Sequence, residues 1–247
     1  MKILLVNDDG LYAKGVLQLA ERLSEDHSVT IIAPDTERSG SSRSLTFHNA
    51  LNYMQMAISE NYESYILSGT PADCTKFGID TILKGDKPDV VISGINNTCN
   101  IGTDIAYSGT VNAALEACMH EVYGIAVSYD CKDNDYTYVA DFVAKNLEFL
   151  IGLLPTDKNT IFNINFPCVP PALKGIRFAT TGDRKYHDEY QYVDGKGYFI
   201  TGYPVAADGN DEDTDVVLTE QGYATVSPVR LNFNDRALFD AVKDMKL

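Results

Sequence analysis

The chain has 247 residues, 45% of them hydrophobic, with a formal net charge of −15 and a pI near 4.5. That length supports one large domain with a sizeable core, and the acidity excludes both a basic nucleic-acid-binding face and docking on anionic membranes. Five cysteines (74, 99, 118, 131 and 168) are odd in number and contain no Cys-x-x-Cys, so neither a disulfide framework nor a zinc cluster is expected. No apolar run approaches the ~20 residues of a membrane span. The run after Met1 is broken by Asn7, Asp8 and Asp9, so no signal peptide is read there and a cytoplasmic location is the expectation.

The chain opens with a short apolar strand, 3–6, that runs straight into Asn7-Asp8-Asp9-Gly10. Two like charges at the rim of an apolar core need compensation, which a cation supplies. A helix from about Lys14 follows, with Val16, Leu17, Leu19, Ala20 and Leu23 on one face, then a strand at 29–33. The next loop, 33–44, is rich in hydroxyls and carries Arg38 and Arg43, a composition that suits oxyanions. After a strand at 65–67, Thr70-Pro71-Ala72-Asp73 has the cap, proline and acid of a helix start. The strand at 90–93 ends in Ser93-Gly94-Ile95-Asn96-Asn97, where Asn96 offers a neutral oxygen to a hard cation. Tyr107-Ser108-Gly109-Thr110 opens a small-residue helix, 110–119, whose first N–H groups suit a phosphate. Strands at 125–128 and 161–165 flank a longer helix at 139–154.

Strands alternating with helices predict an α/β fold with a mostly parallel sheet flanked by helices, and ligands at the strands' carboxyl ends. The texture changes near residue 167: runs at 198–201, 216–218 and 224–228 read as hairpins, and a last helix at 236–245 follows Asn234 as its expected cap. We therefore divide the chain into an α/β core, 1–166, and a β-rich extension, 167–247. The acidic stretch 208–215 fails the EF-hand pattern and reads as a solvated loop. The dinucleotide G-x-G-x-x-G, the P-loop and the G-x-S-x-G elbow are all missing. All candidate ligands are oxygens, which favours Mg²⁺, Mn²⁺ or Ca²⁺ over zinc.

Taken together, Asn7-Asp8-Asp9-Gly10, Ala33-Pro34-Asp35, Arg38-Ser39-Gly40-Ser41-Ser42, Gly69-Thr70-Pro71-Ala72-Asp73-Cys74, Ser93-Gly94-Ile95-Asn96 and Tyr107-Ser108-Gly109-Thr110 resemble the signature blocks of the SurE (survival protein E) family. Thr214-Asp215 and Gly222-Tyr223 resemble its C-terminal part. The resemblance implies a Rossmann-like core and a metal-dependent phosphatase acting on nucleoside monophosphates, a 5′- and 3′-nucleotidase. One divalent cation per subunit, Mg²⁺ or Mn²⁺, is implied on Asp8, Asp9, Ser39 and Asn96. Asp8 and Asp9 are then the catalytic pair, and Ser108, Gly109 and Thr110 hold the phosphate. Arg38 and Arg43 are candidates for stabilising transition-state charge. A homodimer or homotetramer joined through the extension is also implied, with no membrane and no stable nucleic-acid complex.

Arg43 stands where histidine is expected in many relatives, and Asn97-Thr98-Cys99 replaces smaller residues, a change expected to reshape the pocket. Two rivals remain. A receiver-like signalling domain also begins with paired acids, but it needs a later strand ending in Asp, and here those ends are Ser68-Gly69 and Ser93-Gly94. A non-catalytic nucleotide-binding module is separated from an enzyme only by turnover.

Overall fold

The computed structural model describes residues 1–130, 132–205, 208–232 and 234–245; Cys131 lies outside them. The strand predicted at the start is β1 (Lys2–Val6), followed by α1 (Lys14–Leu23), β2 (Ser28–Pro34), β3 (Tyr53–Met56) and β4 (Glu63–Leu67). Next come α2 (Pro71–Phe77), β5 (Val90–Asn96), α3 (Gly109–Met119), β6 (Tyr123–Tyr129), α4 (Thr137–Leu153) and β7 (Thr160–Phe166). The last third contributes β8 (Ile176–Phe178), β9 (Tyr186–Val193), β10 (Gly197–Pro204), α5 (Asp215–Glu220), β11 (Ala224–Arg230) and α6 (Arg236–Val242).

One nine-stranded sheet runs in the order β3-β4-β2-β1-β5-β6-β7-β11-β8. The six strands from β4 to β7 in that order are parallel, as predicted, while β3 pairs antiparallel with β4 and β11 antiparallel with β7 but parallel with β8. Strand β1 shows why its run is apolar throughout. Ile3 and Leu5 face α1 and α4, packing with Leu19, Leu23, Val139 and Val143. Leu4 and Val6 face the other way, with Cys74 of α2 and Ala113 and Ala117 of α3. A central parallel strand is covered on both faces and has no polar side to show. The Thr70 start is a full capping box: Asp73 N donates to Thr70 Oγ1 at 3.1 Å, and Thr70 N donates to Asp73 Oδ2 at 2.9 Å.

The expectations for the C-terminal third need correction. Residues 216–218 are not a strand but the middle of α5, because Thr214 caps that helix and outweighs the β-branched valines. Residues 224–228 are no hairpin. They lie in β11, which inserts between β7 and β8 of the main sheet, so the sheet itself runs across the 166/167 division. A hairpin does form at 198–201, where β10 pairs with β9 as a separate two-stranded sheet. Asp235, rather than Asn234, caps α6, accepting from Leu238 N at 2.8 Å. The acidic stretch is solvated only in part, since Thr214 and Asp215 are buried. Among the described residues no helix is long and apolar enough to cross a membrane.

Candidate active site

The acid pair sits where β1 ends. Asn7 closes the turn, its Nδ2 donating to Gly10 O at 2.8 Å, and Gly10 adopts φ +94°, open mainly to glycine. Asp8 is buried at 5% exposure, and Asp9 is half-buried. Three other segments converge on them. Arg38 N donates to Asp8 O at 2.8 Å, so the serine loop leaves β2 and lies against the acid turn. Ser42 N then donates to Tyr107 O at 3.0 Å, which ties that loop to the entrance of α3. Thr110 Oγ1 donates to Asp8 Oδ1 at 2.7 Å. Gly109 packs so tightly here that a Cβ would stand 2.8 Å from Asp8 Oδ2 and 2.9 Å from Ser41 Oγ.

The fourth segment is the end of β5. Its register with β6 shifts between Ser93 and Asn96, a bulge that re-aims Asn96 at the strand's carboxyl end. Close packing fixes this kink. A Cβ on Gly94 (φ +133°) would lie 2.2 Å from Val127 O, and one on Gly15 of α1 would lie 2.0 Å from Ile95 O. The Ser-Gly-Ile-Asn block is therefore shaped by close backbone approach from the neighbouring strand β6 and from α1 on one face of the sheet.

These segments border a pocket of about 340 Å³ lined by Asp8, Ser39, Gly40, Asn96, Asn97, Thr98, Asn100, Asp104, Tyr107, Ser108 and Tyr186. Of the residues singled out from the sequence, Asp8, Ser39, Asn96 and Ser108 line it directly. Asp9 adjoins Asp8, and Gly109 and Thr110 contact the Asp8 side chain from behind. Ser108 is largely committed elsewhere: its N–H donates to Asp104 O at 3.1 Å, and its hydroxyl accepts from Val111 N at 3.0 Å. The first-turn amides without an intrahelical acceptor are thus those of Gly109 and Thr110. Arg38 and Arg43 do not line the pocket. Arg38 Nη2 donates to Asp35 Oδ1 at 3.0 Å, while its buried Nε has no partner. Arg43 lies near enough to Cys118, toward the far end of α3, to act on that thiol. Asn97 and Thr98 do shape the pocket, as expected, whereas Cys99 turns inward to Phe166 O.

Glu37, Asp104 and Tyr186 were not singled out from the sequence, and Tyr107 only as the first residue of the block that opens α3. Glu37 accepts from Ser39 Oγ at 2.8 Å and adds a third carboxylate beside the acid pair. Asp104 Oδ2 accepts from Arg184 Nη1 at 2.8 Å and from Tyr186 OH at 2.7 Å, which holds the hairpin root against the pocket. The single signal for Asp104 and Tyr107 was their place just before Ser108. Tyr186 had none, being far away in the chain.

The electrostatics fit a hard cation. Burial raises the Asp8 carboxyl above its ordinary range despite the Thr110 hydrogen bond. Burial, with Asp8 and Glu37 close by, pushes Asp9 up to about 6. Among the described residues neither aspartate nor Glu37 takes part in an ion pair. Excess negative charge, a serine hydroxyl and the Asn96 carboxamide make an all-oxygen donor set. Such a set suits Mg²⁺, Mn²⁺ or Ca²⁺.

The fold and pocket define an open α/β protein that gathers acids, a carboxamide and a helix N-terminus at the carboxyl ends of its parallel strands. Residues 3–188 match the family described as Survival protein SurE, and the chain belongs to that family. It is similar to 5′-nucleotidase SurE of Caldanaerobacter subterraneus subsp. tengcongensis, 38% identical over 253 residues that span 98% of this chain and 95% of the relative. It is 41% identical to 5′-nucleotidase SurE of Thermosipho africanus over 236 residues, 93% of this chain and 91% of that one. The crystal structure of SurE protein from Aquifex aeolicus superposes with a TM-score of 0.83 at 32% identity, covering 98% of both chains.

Proposed function

We propose that this phosphoric monoester hydrolase removes phosphate from nucleoside monophosphates, acting on 5′ and 3′ esters and depending on one divalent cation. The observation that carries the reading is the meeting of Asp8, Ser39 and Asn96 in one pocket with the α3 N-terminus packed directly behind Asp8. Asp8, Asp9, Ser39 and Asn96 would hold the cation, which when bound supplies Lewis acidity and an activated water. The chain's own residues do the rest. The Gly109 and Thr110 amides and the positive end of α3 attract the phosphoryl oxygens. Thr110 Oγ1 spends its proton on Asp8 Oδ1, fixing that carboxylate's orientation. The unpartnered Arg38 Nε is a donor close at hand for charge developing on the phosphoryl group. Asn97, Thr98, Tyr107 and Tyr186 form the wall along which a nucleoside would extend.

Assembly into a homodimer or homotetramer is part of the same proposal. The β9–β10 hairpin exposes Tyr190, Tyr192, Tyr198, Phe199 and Ile200, and α6 exposes Leu238, Phe239 and Val242, an apolar area large for a free surface. A receiver-like role finds no support at the strand ends, where Ser93 and Asn96 stand in place of a phosphate-accepting Asp. The test is phosphate release from 5′- and 3′-nucleoside monophosphates before and after EDTA, with Mg²⁺ or Mn²⁺ restored. We expect loss on chelation and recovery with metal; hydrolysis indifferent to chelation would refute metal dependence, and binding without turnover would favour the non-catalytic module.

A further inference from the structure

Asp215 belongs to none of the machinery described so far, yet it is fully buried. It heads α5, and among the described residues no cation pairs with it. Burying a carboxylate is costly unless its oxygens are satisfied. Here they are satisfied entirely by backbone: Oδ1 accepts from Gly182 N at 2.9 Å, and Oδ1 and Oδ2 accept from Gly102 N at 3.2 and 3.1 Å. Burial still raises its pKa against those bonds. The two amides belong to segments far apart in the chain. Gly102 begins the tight turn Gly102–Ala106 that leads into Tyr107, Ser108 and α3. Gly182 precedes the hairpin root, where Arg184 bonds Asp104 and Tyr186 enters the pocket wall.

The junction leaves no slack. Gly102 sits at φ +56°, and a Cβ on it would lie 2.8 Å from Val216 Cγ2 and 3.0 Å from Arg184 Cβ. Thr103 Oγ1 bonds Arg184 O, and Asp104 holds both Arg184 and Tyr186. On its other side the turn is tied down at Asn100, whose N–H donates to Asn165 Oδ1 at 2.7 Å and whose carbonyl accepts from Asn165 Nδ2 at 3.1 Å. One end of the 100–108 segment is thus pinned to the sheet, and its middle is pinned to the hairpin root.

We infer that Asp215 is a positioning residue, its carboxylate clamping the phosphate-binding turn to the hairpin root so that the α3 cradle and the Tyr186 wall keep a fixed separation. The substrate side of this inference rests on the proposed nucleotidase reading. Loosening the clamp leaves Asp8 and Asp9, in the turn after β1, untouched and lowers the fraction of protein competent to bind. That fraction appears as weaker apparent affinity, with the chemical step little changed.

Two readouts test it on the full chain. In Asp215→Asn the amide nitrogen takes the place of Oδ2 and turns a donor toward the Gly102 N–H, leaving it only the longer bond to the oxygen that also serves Gly182; Asp215→Ala releases both. Hydrogen exchange followed by mass spectrometry should show faster exchange at 97–110 in the Asn variant, and at both 97–110 and 180–193 in the Ala variant. For nucleoside monophosphate hydrolysis, KM should rise about tenfold in the Asn variant and further in the Ala variant, with kcat within about threefold of the parent. A purely structural role would lower Tm while leaving KM unmoved, and that result overturns the inference. Faster exchange confined to 213–222 overturns it as well. Should the parent protein hydrolyse no nucleotide, the functional reading falls, while the exchange experiment still decides the clamp.

Discussion

Gly109→Ala is a small change with a large expected consequence. In a helix interior the swap is ordinarily favourable by about 0.5–1 kcal/mol. Gly109 has no room for it: the new methyl would stand 2.8 Å from Asp8 Oδ2, 3.0 Å from Asp8 Cβ and 2.9 Å from Ser41 Oγ. Ordinary contact begins near 3.4 Å, so the neighbours must yield by roughly half an ångström. Asp8 cannot swing freely, because Thr110 Oγ1 holds it at 2.7 Å and β1 is buried on both faces. Overpacking of this kind costs about 1–3 kcal/mol, outweighing the propensity gain, and displaces the carboxylate proposed to bind the cation. A misplacement approaching 1 Å in a catalytic constellation costs about a hundredfold in rate. The assay is kcat/KM for a nucleoside monophosphate together with Tm, with Gly152→Ala in α4 as control, since nothing lies within 4 Å of a methyl there. We expect the control to gain slightly in Tm at unchanged activity, and Gly109→Ala to lose both. A Gly109→Ala protein as stable and active as the parent would refute the argument that this glycine exists to let α3 approach Asp8.

Asp9→Asn should abolish Mn²⁺ binding, followed by titration calorimetry, and cut turnover by orders of magnitude while the protein still unfolds cooperatively. Because the Asp9 carboxyl is pushed up to about 6 in the fold, its contribution to stability is fully present below the unfolded value near 3.8 and is lost as pH rises through about 6. Metal-free parent protein should therefore lose Tm across that window more steeply than metal-free Asp9→Asn; parallel pH profiles would count against it. Phe166 is fully buried, with its ring 5.2 Å from Phe142 and 6.2 Å from Tyr138, so Phe166→Ala should cost about 3–5 kcal/mol in urea unfolding. Phe239→Asp on the exposed face of α6 should lower the assembled mass in light scattering at unchanged monomer fold; an unaltered mass would remove α6 from the interface.

Local chemistry made the parallel core legible. Strands covered on both faces read as near-continuous apolar runs, so β1, β2 and β5 announce themselves without knowledge of their neighbours, while β7 interrupts its run with the buried Asn163 and Asn165. The same holds for the Thr70 capping box, where every partner lies within three residues. Asp8, Ser39 and Asn96 were recoverable for a related reason: each follows such a strand, and strand ends in a parallel sheet share one edge. The chain order of these motifs further resembled a known family.

What the sequence could not hold were interactions between segments with no local signature. Val216 and Val217 favour a strand by propensity, but Thr214 caps them into α5, and Asp215 is drawn inward by amides 33 and 113 residues away. β11 looks like any hairpin strand until β7 offers it an unpaired edge. Ser108 seemed to offer its amide to phosphate, yet that N–H goes to Asp104 O; what it keeps is the O–H of a hydroxyl whose oxygen accepts from Val111, beside the amides of Gly109 and Thr110. The sequence by itself put the candidate residues in view, because charge, hydroxyls and glycines are written at the strand ends. Only the tertiary structure decided which of their atoms remain available, because each N–H or O–H proton is given to one main acceptor and that acceptor often arrives from the far end of the chain.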